Sequence, residues 1–322
     1  MFQAQTTLSF SDTAGNSGVS VEEAYVDTLS LPGYLNLRFG RFFSAVGYQN
    51  AFHSHAWDFH DAPLAYRAFL GGQYGDDGIQ LNWLAPTDTV MVRLGGELLA
   101  GHAYPGAGQS HRTLGDSRSL FVKLGGDLGA SHAWLAGLAA LRVEPHSRTT
   151  GDGSRFSGGS NLYLGDLVWK WAPNGNIRQR NFKLQAEFLL RQEDGAVAVP
   201  DATAPGRLAY HGTQRGGYVQ AVYQFRTGWR SGIRYDRLSS TNHLAPLSLG
   251  GFSSVQALRL ASGLDDQGHA PDRWSLMLDW SPSEFSRLRL QYDRDRSRPR
   301  GNDDQWTLQY IMALGSHGAH EF

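Results

Sequence analysis

The chain has 322 residues, no cysteine and a formal net charge of −1. The absence of thiols excludes a disulfide framework and a thiolate zinc site, so a metal would have to bind to histidine and carboxylate side chains. The balanced charge, without a basic tract, argues against a nucleic-acid partner. No apolar run of about 18 residues is present that could span a membrane as a helix.

A repeated alternation of large apolar residues with polar residues predicts β-strands along the whole chain. The 39 glycines and the low share of charged residues, 18%, suit many strands joined by turns. In chain order the predicted strands cover residues 3–11, 19–29, 34–42, 78–84, 90–98, 120–125, 133–143, 163–171, 182–191, 219–226, 229–236, 274–280, 288–293 and 306–314. The prediction is therefore about fourteen strands, within a range of about 12 to 16, each with one apolar face.

The connections between these strands are alternately short and long. Short turns lie near residues 32, 86, 128, 174, 228 and 282, and longer polar segments near 12–18, 43–76, 102–116, 144–157, 193–213, 240–271 and 297–303. This pattern predicts an all-β fold, a transmembrane antiparallel β-barrel with short periplasmic turns and long extracellular loops, formed by residues 1–322 as one domain. The alternative is a soluble β-sandwich or propeller, but its charged face would lie outside.

Such a barrel is expected in the bacterial outer membrane, with membrane lipid as its surroundings. Residues 1–3 have neither the basic start nor the apolar core of a signal peptide, so we expect a mature or truncated form of an exported protein. Phe322 has the same alternate spacing as the apolar residues of the last predicted strand, so it would lie on their face if the strand continued. We interpret this terminal aromatic residue as the signal that the barrel assembly machinery reads.

The segment 44–76 is the richest in chemistry and is predicted to be a long loop that fills or covers the opening of the barrel. A connection of this length is usually functional. Its candidate metal ligands are His53, His55, Asp58, His60 and Asp61. Imidazole and carboxylate groups at this spacing could form a zinc site if a turn brings them together. The alternative is that these histidines only form hydrogen bonds in the packing of the loop.

Charged residues recur on the face opposite the apolar one, where they would line a water-filled lumen. The predicted pore-lining residues are Glu23, Asp27, Arg38, Arg93, Glu97, Lys123, Lys183, Glu187, Arg230, Arg234, Arg287 and Arg289. Fixed charges of this kind select the solutes that pass a pore. Alternatively they neutralise one another in salt bridges, and their near balance predicts weak selectivity between anions and cations.

Four stretches carry a resemblance to a known family: EEAYVDT at 22–28, LRFGRFFSAVGYQN at 37–50, residues 53–88, and LQYIMALGSHGAHEF at 308–322. In these the chain resembles Gram-negative outer-membrane proteins labelled zinc-regulated TonB-dependent outer-membrane receptors. The resemblance implies a link to zinc. A TonB-dependent receptor has about 22 strands around a plug domain, and the predicted strands leave no place for either. The resemblance therefore implies a porin-like barrel without a plug domain.

Two functions follow from these observations. The first is an outer-membrane porin-like channel for small solutes, linked to zinc or metal acquisition, with the 44–76 loop as constriction. The alternative is a non-conducting metal-binding surface receptor with that loop as plug. No spacing of serine and histidine singles out a nucleophile, so an enzyme is not expected. No cofactor is required, although zinc is possible, and the sequence leaves the oligomeric state open.

Overall fold

A single antiparallel sheet contains nearly all the regular structure of the chain. The computed structural model describes residues 1–13, 16–29, 31–106, 113–265, 267–299 and 301–313. The strands are β1 (Phe2–Thr13), β2 (Asn16–Thr28), β3 (Leu35–Phe43), β4 (Gly75–Leu84), β5 (Met91–Leu99), β6 (Ser117–Leu128), β7 (His132–Val143), β8 (Arg148–Thr149), β9 (Arg155–Trp171), β10 (Asn181–Val199), β11 (Gly206–Arg226), β12 (Trp229–Ser248), β13 (Asp272–Ser283), β14 (Ser286–Asp295) and β15 (Asp303–Met312). Two short helices are α1 (Leu64–Leu70) and α2 (Val255–Ala261).

The strands pair in chain order, each with the next. The exception is the two-residue strand β8, which pairs only with β9, so that β7 pairs directly with β9. Fourteen strands therefore form the continuous path of the sheet, and the predicted number is confirmed. Among the residues that the structure describes, no helix is long and apolar enough to cross a membrane.

The two faces of the sheet differ in the way that the alternation predicts. In β6, Leu120 is 70% exposed, whereas its neighbours Ser119 and Phe121 are buried. The same outward exposure of large apolar side chains recurs across the sheet, at Leu81, Leu94, Leu138, Tyr163, Phe188, Val219, Ile233, Trp274, Leu290 and Leu308. An apolar outer face and a polar inner face are the arrangement that a lipid bilayer requires of a barrel.

Several strands are longer than the alternation predicts. The loop predicted at 193–213 is wrong, because β10 and β11 stay paired up to Val199 and Gly206 and leave only residues 200–205 between them. The loop predicted at 12–18 is likewise mostly strand, since the β1–β2 ladder continues to Thr13 and Asn16. In the extended ends of β10 and β11 the apolar residues lie on the inner face, where Val197 and Leu208 are buried with Leu258 of α2, so the outward apolar alternation stops there.

The sheet curves around residues 44–74, although its ring is not closed. Glu23 on β2 contacts His53, and Arg289 on β14 donates to the carbonyl of Trp57, four residues further along the same segment. The two ends of the sheet therefore approach one another. Within the described ranges 2–13 and 303–312, however, the edge strands β1 and β15 form no ladder.

The main apolar core lies inside this curved sheet. It joins residues of α1, such as Tyr66 and Phe69, to inner-face side chains of β6, β7 and β9, such as Phe121, Leu141 and Leu164. The interior is therefore partly filled by the chain between β3 and β4. That segment is the feature that the rest of the sheet surrounds.

Candidate functional site

We call residues 44–74 the inner segment. Its two ends meet at the top of the β3–β4 hairpin, where the Ser44 amide donates to the carbonyl of Tyr74 (3.0 Å). The fully buried Asn50 side chain donates to the carbonyls of Ser44 and Tyr74, both at 2.7 Å, and accepts from the Tyr74 amide. These bonds satisfy buried backbone groups that would otherwise be costly to desolvate, so the segment leaves the wall and returns to it at one fixed point.

Glu97 on β5 binds the beginning of the inner segment. Its carboxylate accepts from the Ser44 hydroxyl (2.5 Å) and the Ala45 amide (2.8 Å). On the wall it also accepts from Gln80 and Ser119, at 2.7 and 2.6 Å. A buried carboxylate with four donors is well satisfied, and its predicted position on the inner face is the position that the structure gives it.

Glu187 on β10 is the second buried carboxylate under the segment. It accepts from the amides of Tyr48 (3.1 Å) and Gln49 (2.8 Å) and from the hydroxyls of Tyr66 (2.7 Å) and Tyr218 (2.6 Å). Burial and the neighbouring Glu187 carboxylate raise the pKa of Tyr66 well above its ordinary value. The Tyr66 hydroxyl therefore remains a hydrogen-bond donor.

The helix α1 lies against the inner face of β10, β11 and β12. It begins after Pro63 and ends at Gly71, whose φ of 68° is the left-handed conformation common after a helix. The Leu64 amide donates to Asp236 on β12 (2.8 Å). Arg67 is the exposed residue of the helix, and the rest of its surface is buried or half-buried.

The predicted ligand His53 lies between two carboxylates of β2. Its Nδ1 is 2.8 Å from Glu22 Oε2, and its Nε2 is 2.9 Å from Glu23 Oε2. Two successive residues of a strand normally face opposite sides, but the ladder is irregular here, between Thr7 and Leu8 on β1. The hydrogen bond to Glu23, opposed by burial and aided by Glu22, raises the pKa of His53 above its ordinary value. The ring of His55, an exposed residue, stacks on His53 (5.7 Å between centroids).

The predicted ligands Asp58 and Asp61 contact basic residues of the wall. Asp58 is 2.8 Å from Lys183 Nζ and 3.0 Å from Arg230 Nη1. Asp61 accepts from Arg234 (2.8 Å) and Arg273 (2.5 Å). Burial alone would raise the pKa of each carboxyl, but these cations outweigh burial and hold both pKa values well below the ordinary range.

The five predicted metal ligands therefore do not form one coordination sphere. His60 and Asp61 do lie together with Asp293 of β14, and one ligand atom from each falls within 4.8 Å of the other two. His53 and His55 lie beside β2, and Asp58 is paired with cations. Zinc binding by these residues remains a prediction. Of the five, His60 and Asp61 are the ones that belong to a group of three neighbouring ligand atoms.

A second group with metal-ligand chemistry was not predicted from the sequence. Asp76, Asp77 and His102 bring one ligand atom each within 4.8 Å. Asp76 already accepts from the His102 amide (2.8 Å), and Asp77 is paired with Arg41 (2.9 Å). The first bond attaches the start of β4 to the connection after β5, and the second attaches it to β3.

The twelve predicted pore-lining residues are all buried or half-buried. Many of them pair with a neighbour on the wall, as Arg38 does with Asp27 (2.8 Å) and Lys123 with Asp166 (2.6 Å). Others bind the inner segment itself, so the wall charges hold the segment as well as facing the interior. Phe322, the predicted assembly signal, lies outside the described residues.

One wall residue that holds the segment was missed as a site candidate. Arg273, at the start of β13, donates to Asp61. Arg273 is buried and shares the inward face of its strand with Ser275 and Met277. Extending the predicted strand by one residue toward its N-terminus would have placed Arg273 on the inner face.

Comparison with known proteins places this geometry in context. No protein-family model matches the chain. An uncharacterized protein of Aquifex aeolicus is 28% identical over 346 residues, which cover 100% of this chain and 66% of that protein. The chain thus spans slightly under two thirds of the length of that relative.

Three solved structures resemble the chain at low sequence identity. One is a loop-deletion mutant of OmpT, an outer membrane protein of Vibrio cholerae (TM-score 0.56, 11% identity, covering 96% of this chain and 84% of that one). Another is the outer membrane channel DcaP of Acinetobacter baumannii (TM-score 0.54, 11% identity, covering 97% of this chain and 80% of that one). A third is OprB of Pseudomonas putida (TM-score 0.51, 14% identity, covering 86% of this chain and 68% of that one).

The chain has the fold of bacterial outer-membrane β-barrel proteins. The predicted fold class is confirmed, and the location in the bacterial outer membrane follows from this fold. At these identities the likeness concerns the fold alone, and the zinc-receptor label has no support among the three structures.

Proposed function

We propose that this protein is a porin-like channel of the outer membrane for small solutes, in which the inner segment is the constriction. The observation that carries the proposal is the polar inner face. Lys183, Arg230 and Arg287 there keep side-chain exposures of 22–24%, beside the inner segment. Charged groups that stay solvated inside a barrel are what a water-filled path provides. DcaP, which shares the fold, is described as an outer membrane channel.

A second candidate is a non-conducting barrel in which the inner segment is a plug. The apolar core between α1 and strands β5 to β11 favours it, because residues such as Leu70, Leu99 and Leu189 are completely buried. A dry contact of this kind leaves no room for solute on that side of the interior. The two candidates differ in whether ions and solutes pass along the opposite side of the barrel interior.

Planar-bilayer conductance of the refolded protein separates the two candidates. We expect steady single-channel conductance, because the partly exposed charges of Lys183, Arg230 and Arg287 provide a hydrated path. The absence of any conductance from a correctly folded barrel would refute the channel and favour the plug. The proposal includes no catalytic step, and its partners are membrane lipid, the assembly machinery and the permeating solute.

The zinc part of the proposal rests on the group formed by His60, Asp61 and Asp293. Micromolar zinc is expected to change the conductance of the wild type. His60→Ala should lose this response, whereas His55→Ala, whose ring lies outside the group, should keep it. An equal response of all three proteins, or none in the wild type, would remove zinc from the function.

A further inference from the structure

Five cations lie close together on the inner face, near the strand ends that meet the short turns. We call them the basic cluster: Lys170 on β9, Lys183 on β10, Arg230 on β12, and Arg287 and Arg289 on β14. Arg230 is the second residue of β12, and Arg287 is the second residue of β14. The cluster therefore lies at one mouth of the barrel, beyond the turn of the inner segment that carries Asp58.

Four cations of this cluster pair with carboxylates that are too few to neutralise them. Asp279 is shared by three guanidinium groups, those of Arg230 (2.5 Å), Arg289 (2.8 Å) and Arg287 (3.9 Å). Asp58 is shared by Lys183 and Arg230. In the described part of the chain, four cations therefore form ion pairs with only two carboxylates. Lys170 stands directly opposite Lys183 in the β9–β10 ladder and adds a like charge.

Arg287 has weaker partners than Lys183, Arg230 and Arg289 have. Its nearest carboxylate, Asp279, is 3.9 Å away and already has two closer guanidinium groups. Its other contacts are the carbonyls of Trp57 and His55, at 3.5 and 3.4 Å, the long end of hydrogen-bond distances. With 22% of its side chain exposed, the guanidinium can still be reached by a solute.

A guanidinium group offers a planar fork of donors that matches the two oxygens of a carboxylate or phosphate. At Arg287, an added anion would also relieve the repulsion from Arg230 and Arg289. We propose that the basic cluster binds a small oxyanion through Arg287, and that the solutes of the channel are therefore anions. This inference rests on the proposed function. It replaces the expectation of weak selectivity, which considered the charges of the whole wall and not their local distribution.

Equilibrium dialysis of the detergent-solubilised protein with radiolabelled phosphate, and separately with succinate, tests the site without requiring conductance. The variants are Arg287→Gln, Arg287→Lys and the control Arg294→Gln, which makes the same change on the exposed face of the same strand. Low ionic strength, about 0.01 M, keeps screening weak. We expect Arg287→Gln to weaken binding at least about tenfold, Arg287→Lys to weaken it less, and Arg294→Gln to bind as the wild type does.

Reversal potentials in a potassium chloride gradient provide the second readout. Anion selectivity in the wild type that falls in Arg287→Gln and persists in Arg287→Lys and Arg294→Gln supports the proposal. Equal oxyanion binding by all four proteins, or a cation-selective wild type, overturns it. If the wild type binds the oxyanion but does not conduct, the binding site is supported and the channel is refuted. If it conducts but does not bind the oxyanion, the binding site is refuted and the channel is supported.

Discussion

Single residues hold the inner segment by ion pairs and by hydrogen bonds to buried carboxylates. Asp58 and Asp61 are on the segment and their cations are on β10, β12 and β13. Glu97 and Glu187 are on the wall and accept from backbone amides of the segment. Buried charges are costly unless they are paired. Each of these contacts is therefore expected to weaken sharply when one partner is neutralised.

Asp58→Asn should loosen the inner segment. The change leaves Lys183 without its carboxylate, and we expect a loss of about 3 kcal/mol, the low end for a broken buried pair, because Arg230 keeps Asp279. Trypsin cleavage after the exposed Arg67 measures the release of the segment and should be faster. Asp88→Asn, at an exposed turn, is the control, and equal cleavage rates in both variants would contradict the role given to Asp58.

His53 should make the stability of the protein depend on pH. Its pKa is raised in the folded protein, so its contribution is fully present below the unfolded value of 6.5 and is lost as the pH rises through the folded value. The free energy of unfolding of the wild type should therefore fall with rising pH above 6.5, relative to that of His53→Gln. A difference between the two proteins that stays constant with pH would show that His53 is not held by Glu22 and Glu23 as a cation.

At the scale of elements, the inner segment is shaped by close contact with the wall. Gly47 has a φ of 79°, and a Cβ there would lie 2.2 Å from the Tyr66 hydroxyl and 2.5 Å from Glu187 Oε2. On the wall, a Cβ at Gly216 would lie 2.9 Å from Phe69 of α1. The segment therefore fits the wall only because glycine is present on both sides of the contact.

Gly47→Ala should displace the segment from Glu187. The added methyl group clashes with the Tyr66–Glu187 pair, a cost of about 1–3 kcal/mol, in addition to about 1–2 kcal/mol for the left-handed backbone. Gly72→Ala is the matched control, because Gly72 also has a positive φ (102°) but nothing within 4 Å of the added atom. Unfolding in urea should give Gly47→Ala a lower free energy of unfolding than Gly72→Ala. The reverse order would contradict this packing.

For the whole molecule, the sheet and the inner segment depend on one another. The β3–β4 hairpin is paired up to Phe43 and Gly75, so the segment is an insertion at the tip of an intact hairpin. The apolar side chains of the inner wall, by contrast, pack against α1. Removing the insertion should therefore open the interior while leaving the ladder in place.

Replacement of residues 45–73 by a short Gly–Ser linker should increase single-channel conductance several-fold, since the deleted residues occupy the space between β6 and β14. The exposed inner apolar residues are expected to lower thermal stability at the same time. Conductance recordings on the refolded variant check the first effect, and circular dichroism confirms that the strands remain. An unchanged conductance would mean that the segment does not form the constriction.

The amino-acid sequence by itself determined the strands, their number and the faces they present. Alternation of apolar and polar residues follows from the pleat of a strand between lipid and lumen, a local property that is readable residue by residue. Leu120, Phe188 and Trp274 belong to the apolar sets of their predicted strands, and they lie exposed on the outer face of the sheet. The strand ends at 193–213 were missed, because their apolar residues, such as Val197 and Leu208, lie on the inner face and not on the outer one.

Only the tertiary structure decided what the 44–76 loop does with its histidines and aspartates. Local spacing suggested that His53, Asp58 and His60 converge on one metal. In the folded chain Asp58 instead meets Lys183 and Arg230, which are more than a hundred residues away in sequence. Partners brought together by curvature of the sheet leave no periodic mark in the sequence. The uneven charge around Asp279 is hidden for the same reason, because its guanidinium neighbours come from different strands.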